Sequence, residues 1–194
     1  MCEVPLPFIH SSYGEALSSD LNLYRGIALV GLPRTGKTTV GTALAQYQGW
    51  PFIDSDAAIA AAQNTSIPDL IARDGISTFR ALEKEWLTQQ CQPLENPEHP
   101  FIVLSTGGGM PCHNGLMDLL KQHFLTVHLD LDLESWLQRM HAPPHELTRR
   151  LSDEELRSLY KERAPLYHQS HYTLRQRRSI QEDVKKVLST LNFS

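Results

Sequence analysis

Gly31-Leu-Pro-Arg-Thr-Gly36-Lys37-Thr38 constrains this chain more than any other stretch, because it matches G-x-x-x-x-G-K-[ST], the signature of a phosphate-cradling loop. Glycines at its ends let the backbone curl until successive N–H groups point into one concavity that takes phosphate oxygens. A helix that follows adds its positive N-terminal end. The flanks supply that context. Gly26-Ile-Ala-Leu-Val-Gly31 is an apolar run that reads as a buried strand. Thr38–Tyr47 has helical spacing, with Val40, Leu44 and Tyr47 on one face. The expected nucleotide-binding residues are Gly31, Leu32, Pro33, Arg34, Thr35, Gly36, Lys37, Thr38 and Thr39. In such loops the lysine reaches the β- and γ-phosphates of ATP and the Thr hydroxyl sits on Mg²⁺, so Lys37 and Thr38 take those places here. Arg34 is a large cation inside the loop that either adds a phosphate contact or points outward.

The rest of the chain alternates strands and helices. Strands are predicted at Pro51–Asp54, Phe101–Thr106, Leu125–Asp130 and Tyr172–Arg175. Helices are predicted at Ala57–Ala62, from Ser66 onward with Pro68 near its start, at Thr78–Gln90, Leu116–His123, Leu133–Met140 and Ser152–Glu162, and at Ile180–Leu191. Ser152-Asp-Glu-Glu155 is a capping box. Gln92–Pro100, with three prolines among polar residues, reads as a loop. The pattern implies an α/β fold: a three-layer α/β/α sandwich around a parallel sheet of about five strands, of the P-loop nucleoside-kinase kind. The 194 residues fit one such domain, placed at 26–194, behind an extension at 1–25 that reads as poorly ordered or loosely docked.

Composition narrows the partners. A formal net charge of −4 argues against nucleic acid, whose phosphate backbone needs a basic face. No apolar run approaches the roughly 20 residues of a membrane span. Cys2, Cys91 and Cys112 are odd in number and widely spaced, which suggests reduced thiols in a cytoplasmic protein, expected to be a monomer.

Downstream of the loop, Phe52-Ile-Asp54-Ser-Asp56 places two carboxylates two residues apart at a strand's end. Strand alternation would send both to one side. There one can hold Mg²⁺, directly or through water, and the other can accept a hydroxyl proton. Either can instead cap the helix from Ala57.

With Gly31–Thr38, the segments Phe52-Ile-Asp-Ser-Asp56 and Ile59, Gly75 with Phe79-Arg80-Ala-Leu-Glu83, Thr106-Gly-Gly-Gly109 and Arg163-Ala-Pro-Leu-Tyr167 follow in order and spacing, and in this set the chain resembles the shikimate kinases. The resemblance runs from about Gly26 to Leu191. It implies a kinase that transfers the γ-phosphate of ATP to the 3-hydroxyl of shikimate, on the route to aromatic amino acids. Lys37, Asp56 and Arg80 would be catalytic, with Asp56 as base, and Thr38 and Asp54 would serve the metal. Phe79, Arg80, Glu83, Gly107, Gly108, Gly109 and Arg163 would surround the substrate in a region at about 54–85 and beyond. Arg80 and Arg163 would pair with its carboxylate, which suits planar guanidinium forks. Glu83, three residues after Arg80 on one helix, would orient it. Taken singly, Arg80 and Glu83 are an ordinary surface pair, Gly107–Gly109 a flexible turn and Arg163 a solvated cation.

Arg139 matches the family's arginine beside adenine, and Arg177, within the Arg175–Arg178 cluster, falls where its last adenine-contacting loop lies; a solvated basic turn is the other reading of that cluster. The family's Arg-Pro-Leu-Leu lid is missing. A lid is placed at about 141–154, where Arg149 or Arg150 takes the arginine's part. The open alternatives are a kinase of another small hydroxy acid, such as gluconate, and a nucleotide-binding relative without turnover.

Overall fold

Five short strands form one parallel sheet in the computed structural model, which describes residues 24–143, 145–175 and 179–190. The predicted extension at 1–25 lies, apart from Tyr24 and Arg25, outside the described residues. In chain order the strands are β1 (Gly26–Val30), β2 (Phe52–Asp54), β3 (Ile102–Ser105), β4 (Leu125–Asp130) and β5 (Tyr172–Arg175). Their order across the sheet is β2-β3-β1-β4-β5, every pairing parallel, with Gly26 opposite Ile102 and Ile27 opposite Leu125. Parallel neighbours need crossover connections, and helices supply them. These are α1 (Lys37–Gln48), α2 (Ser55–Ala62), α3 (Ile67–Asp74), α4 (Ile76–Cys91), α5 (Leu116–His123), α6 (Leu133–His141), α7 (Asp153–Tyr167) and α8 (Ile180–Thr190).

β1 is buried on both faces, so its five residues read as a continuous apolar run instead of an alternation. Ala28 and Val30 face a core built with Leu70, Phe79, Leu87, Trp136 and Leu156. Ile27 and Leu29 face the other, where Val40 and Leu44 of α1 meet Val184 and Leu188 of α8. Tyr47 is not part of that packing: it is 72% exposed, two residues past Ala45, the last buried position of α1.

Several boundaries differ from the sequence reading, among them the start of α2, two residues early at Ser55. Gln92–Glu95 is a 3₁₀ turn within the expected loop, pinned by the buried Leu94. α4 starts two residues early, at Ile76. α7 runs on through Pro165 to Tyr167, whose ring is fully buried. Pro165 sits close enough to the end of α7 that its lost N–H bond leaves the rest of the helix standing.

Chain order explains where ligands go. β1 has β3 on one side and β4 on the other, so the connections leave it in opposite directions, and a crevice opens at the carboxyl ends of the strands. The phosphate loop, the Asp54–Asp56 turn and Gly107–Gly109 follow β1, β2 and β3 into that crevice.

Candidate active site

The loop after β1 wraps onto the start of α1, with Gly36 in the left-handed conformation at its N-cap. Arg34 also takes positive φ, at 62°, an uncommon state for a side-chain-bearing residue. Thr35 Oγ1 donates to the Leu32 carbonyl at 3.0 Å and Trp136 Nε1 to the Pro33 carbonyl at 2.8 Å, which stiffen the loop from inside and from α6. Lys37 Nζ donates to the Gly31 and Leu32 carbonyls, both at 2.8 Å. Burial drops its pKa to about 8, against the pull of Asp56 and Asp54. Thr38 and Thr39 are exposed at the mouth.

Thr38 Oγ1 donates to Asp54 Oδ2 at 2.8 Å and lies 3.4 Å from Ser105 Oγ. The other Asp54 oxygen accepts the Asp56 and Ala57 N–H groups at 3.1 and 3.2 Å and so caps α2. Capping and a place beside the loop are therefore both true of Asp54. Strand alternation is not what brings the two acids together: β2 ends at Asp54, and Asp56 sits in the first turn of α2. The cap itself turns the chain and points Asp56 inward. There Asp56 Oδ1 is buried with no hydrogen-bond partner. Burial and then the charge of Asp54 raise its pKa above 3.8, opposed by Lys37 and Arg80.

Asp56 lines a cleft of about 1040 Å³ with Phe79, Arg80, Glu83, Gly107–Gly109 and Arg163. Arg80 Nη1 binds Glu83 Oε2 one turn on, and its guanidinium carbon lies 5.3 Å from the Phe79 ring centre. Glu83 is buried, which pushes its carboxyl up against the opposing pull of Arg80. The glycines are needed because side chains have no room. A Cβ on Gly107 would collide with Asp56 Oδ1, one on Gly109 with Arg80 Nη2, and one on Gly108 would lie 2.7 Å from Pro33 Cδ. Gly107 N–H donates to Ser55 Oγ at 2.7 Å, and Tyr167 O–H donates to the Gly108 carbonyl. A flexible turn does not describe this run.

The remaining candidates separate. Arg150 lines the cleft and pairs with Glu146 at 2.6 Å, whereas Arg149 does not line it. Arg139 lies outside the cleft, 3.5 Å from the Arg34 carbonyl, beside a small cavity with Thr35, Leu129 and Leu174. Arg177 lies outside the described residues. Sequence reasoning passed over Ser55, His145 and the aliphatic wall of Ile67, Ile71 and Ile76. His145 carries no motif, and only its place in the fold reveals it. It lines the cleft and its Nδ1 accepts the Leu147 N–H at 3.1 Å. Burial lowers its pKa, as does nearby Arg34.

The family model described as shikimate kinase matches residues 33–192. The chain belongs to the shikimate kinase family. It is accordingly a P-loop phosphotransferase that uses ATP. A shikimate kinase of Ruegeria pomeroyi is 35% identical over 173 residues, 87% of this chain and 86% of that protein. One from Nostoc punctiforme is 32% identical over 184 residues, 91% and 94% of the two chains. The solved shikimate kinase of Acinetobacter baumannii, in complex with shikimate, superposes with a TM-score of 0.78 at 30% identity, covering 90% of this chain and 97% of that one. The five-strand parallel sheet and its helices are those of this family of kinases.

Proposed function

We propose that this chain moves the γ-phosphate of ATP to the 3-hydroxyl of shikimate, and that Asp56, Lys37 and Arg80 carry the reaction. One observation supports this most: a buried, unpartnered carboxylate oxygen on Asp56 stands in one cleft with Arg80 and Arg163, close enough to Lys37 for each charge to shift the other.

Arg80 and Arg163 take the substrate's ring carboxylate, Arg80 already aimed by Glu83. The 3-hydroxyl sits on Asp56, whose raised pKa suits a base more than an ordinary carboxylate would. Asp56 accepts that proton as the oxygen attacks the γ-phosphorus in line. Lys37 turns from its two loop carbonyls to the β- and γ-phosphates and holds their developing charge. Gly107 lets Asp56, and Gly109 lets Arg80, approach the backbone where a side chain would collide.

The all-oxygen set of Thr38 Oγ1 and Asp54 Oδ2 fits Mg²⁺, which prefers oxygen ligands and keeps several waters. When bound it would neutralise phosphate charge. Arg139 serves the adenine side. Residues 141–154 act as the lid, with Arg150 as its cation, which fits its place on the cleft. The chain works as a cytosolic monomer, with Cys91 and Cys112 as free thiols.

A coupled assay of ADP release with MgATP, run with shikimate, with gluconate and with neither, tests this. Release should depend on shikimate alone. Equal release with gluconate, or ATP binding without release on either acid, would overturn the assignment.

A further inference from the structure

β4 alternates cleanly. Val127 and Leu129 face the core under α8, while Thr126, His128 and Asp130 face the other way. The carboxyl end of α7 comes down on that second row and delivers Tyr167 and His168. The Tyr167 ring stacks on His128 with centres 5.3 Å apart, and His168 meets His128 edge-on at 5.1 Å and 89°. One ligand atom each from His128, Asp130 and His168 lie within 4.8 Å of one another, the one such group of His, Cys, Asp or Glu among the described residues.

Both imidazoles are prepared as donors of an electron pair. His168 Nδ1 lies 2.7 Å from the Ala164 carbonyl, which only accepts, so Nδ1 carries the proton and Nε2 keeps its lone pair. That backbone hydrogen bond on the far nitrogen is how proteins orient metal-binding histidines. His128 is only 3% exposed, and its Nδ1 has no hydrogen-bond partner. Two imidazoles on one ion, with metal–nitrogen bonds of about 2.1 Å at a tetrahedral angle, put their ring centres about 5 Å apart. The two ring centres have that separation, and the ligand atoms, within 4.8 Å of one another, close to about 3.4 Å around the ion.

We propose that His128, Asp130 and His168 form a second metal site, for a divalent cation of the zinc, nickel and copper class. Two imidazoles and one carboxylate select that class over Mg²⁺, which wants oxygen. Asp130 meets Arg175 Nε at 3.6 Å, and that arginine, 85% exposed, can swing into water as the ion arrives. Water completes the fourth position. The site is distinct from the oxygen set of Thr38 and Asp54 and stands whether or not the acceptor is shikimate. It also lies behind the cleft wall, since Tyr167 binds both the His128 face and the Gly108 carbonyl.

The test is Zn²⁺ titration of the full chain, stripped with chelator and kept in excess Mg²⁺, read by calorimetry and by competition with a chromophoric chelator. The native chain should take up one Zn²⁺ that Mg²⁺ does not displace. His168→Ala, at an exposed position, and Asp130→Asn should each weaken uptake by at least about tenfold. His141→Ala, at the other His–carboxylate contact (2.9 Å from Asp153), should leave it unchanged. Co²⁺ in place of Zn²⁺ should give the visible absorption of a four-coordinate site, lost in His168→Ala. No uptake above the Mg²⁺ background overturns the proposal. So does uptake that survives both His168→Ala and Asp130→Asn.

Discussion

The floor of the cleft and the arch at its rim, residues 145–151, are built on different plans. In the floor most polar groups meet something far away in the chain, and Arg80 is aimed in addition by Glu83 one turn on. Asp56 meets Gly107, Arg80 meets Gly109, Ser55 holds the Gly107 N–H and Tyr167 holds the Gly108 carbonyl. The arch is held by its neighbours. Arg150 pairs with Glu146 one turn away, His145 caps its own 3₁₀ turn over Glu146–Arg149, and Thr148 Oγ1 donates back to the His145 carbonyl at 2.6 Å. An exposed pair such as Arg150–Glu146 is worth about 1 kcal/mol or less. A floor tied by long-range close packing keeps its geometry whether or not substrate is present. Among the described residues the arch rests on the core only through Leu147 and Leu151, and its polar contacts are local, so its movement, as a lid must move, breaks few of them.

If that division is right, changes in the floor cost much more than changes in the arch. The largest effect should come from Asp56→Asn. It keeps the shape of the carboxylate and removes its basicity, so kcat should fall about 10³-fold with ATP binding nearly unchanged. Steady-state kinetics with equilibrium ATP binding checks this; a near-normal kcat removes the base from Asp56.

Gly107→Ala adds one methyl where Asp56 Oδ1 already stands. Displacing that carboxylate by part of an ångström should lower kcat/KM about 10²-fold, and stability by about 1–3 kcal/mol from overpacking. Urea unfolding beside the kinetics separates the two. Loss of stability without loss of activity would mean that the floor yields more easily than its packing suggests.

The pH profile probes the floor without a substitution. Lys37 is charged below its pKa of about 8 and neutral above it. So kcat/KM for ATP should fall as pH rises past 8, approaching about tenfold per unit, because that ratio reports the free enzyme. The acid limb belongs to Asp56 and should lie above the ordinary carboxylate value of 3.8. A profile flat up to pH 10 would show that Lys37 keeps its proton despite burial.

The smallest effect belongs to the arch. Arg150→Ala should raise KM for ATP about threefold to tenfold, in keeping with one solvent-exposed charge contact. Arg149→Ala, off the cleft, should be indistinguishable from the native chain. If Arg150→Ala costs as much as Asp56→Asn, the arch carries catalysis and the division between floor and arch fails.

What was legible in the sequence follows the same line. The phosphate loop could be read directly because its spacing is its mechanism, and the central strands could be read because β1 is an unbroken apolar run, β3 nearly so, and β4 alternates apolar with polar residues. Arg80 and Glu83 were legible because a helix brings i and i+3 together. Gly107–Gly109 were not legible as packing, because the atoms that forbid a Cβ there belong to residues 33, 56 and 80. The Asp54–Asp56 pair was found for a wrong reason: alternation was expected, and a helix cap does the turning. Tyr47 was placed on the buried face of α1 by periodicity alone, yet the last buried position of α1 is Ala45, two residues earlier. His145 was invisible because a lone histidine in a polar stretch gains meaning only when the fold sets it against the phosphate loop.

The two bonds from Lys37 to the Gly31 and Leu32 carbonyls have a consequence for what the loop admits. Its ammonium is already coordinated, so entry of an anion is an exchange, not an addition. The incoming group must replace two charge-assisted bonds, each worth about 1.5–3 kcal/mol. A lone inorganic phosphate brings few oxygens beyond those it displaces. A triphosphate offers the lysine its β- and γ-oxygens while the loop amides hold the rest. An anion that offers the lysine more oxygens than those two carbonyls replaces them more readily, which favours a triphosphate over a single phosphate.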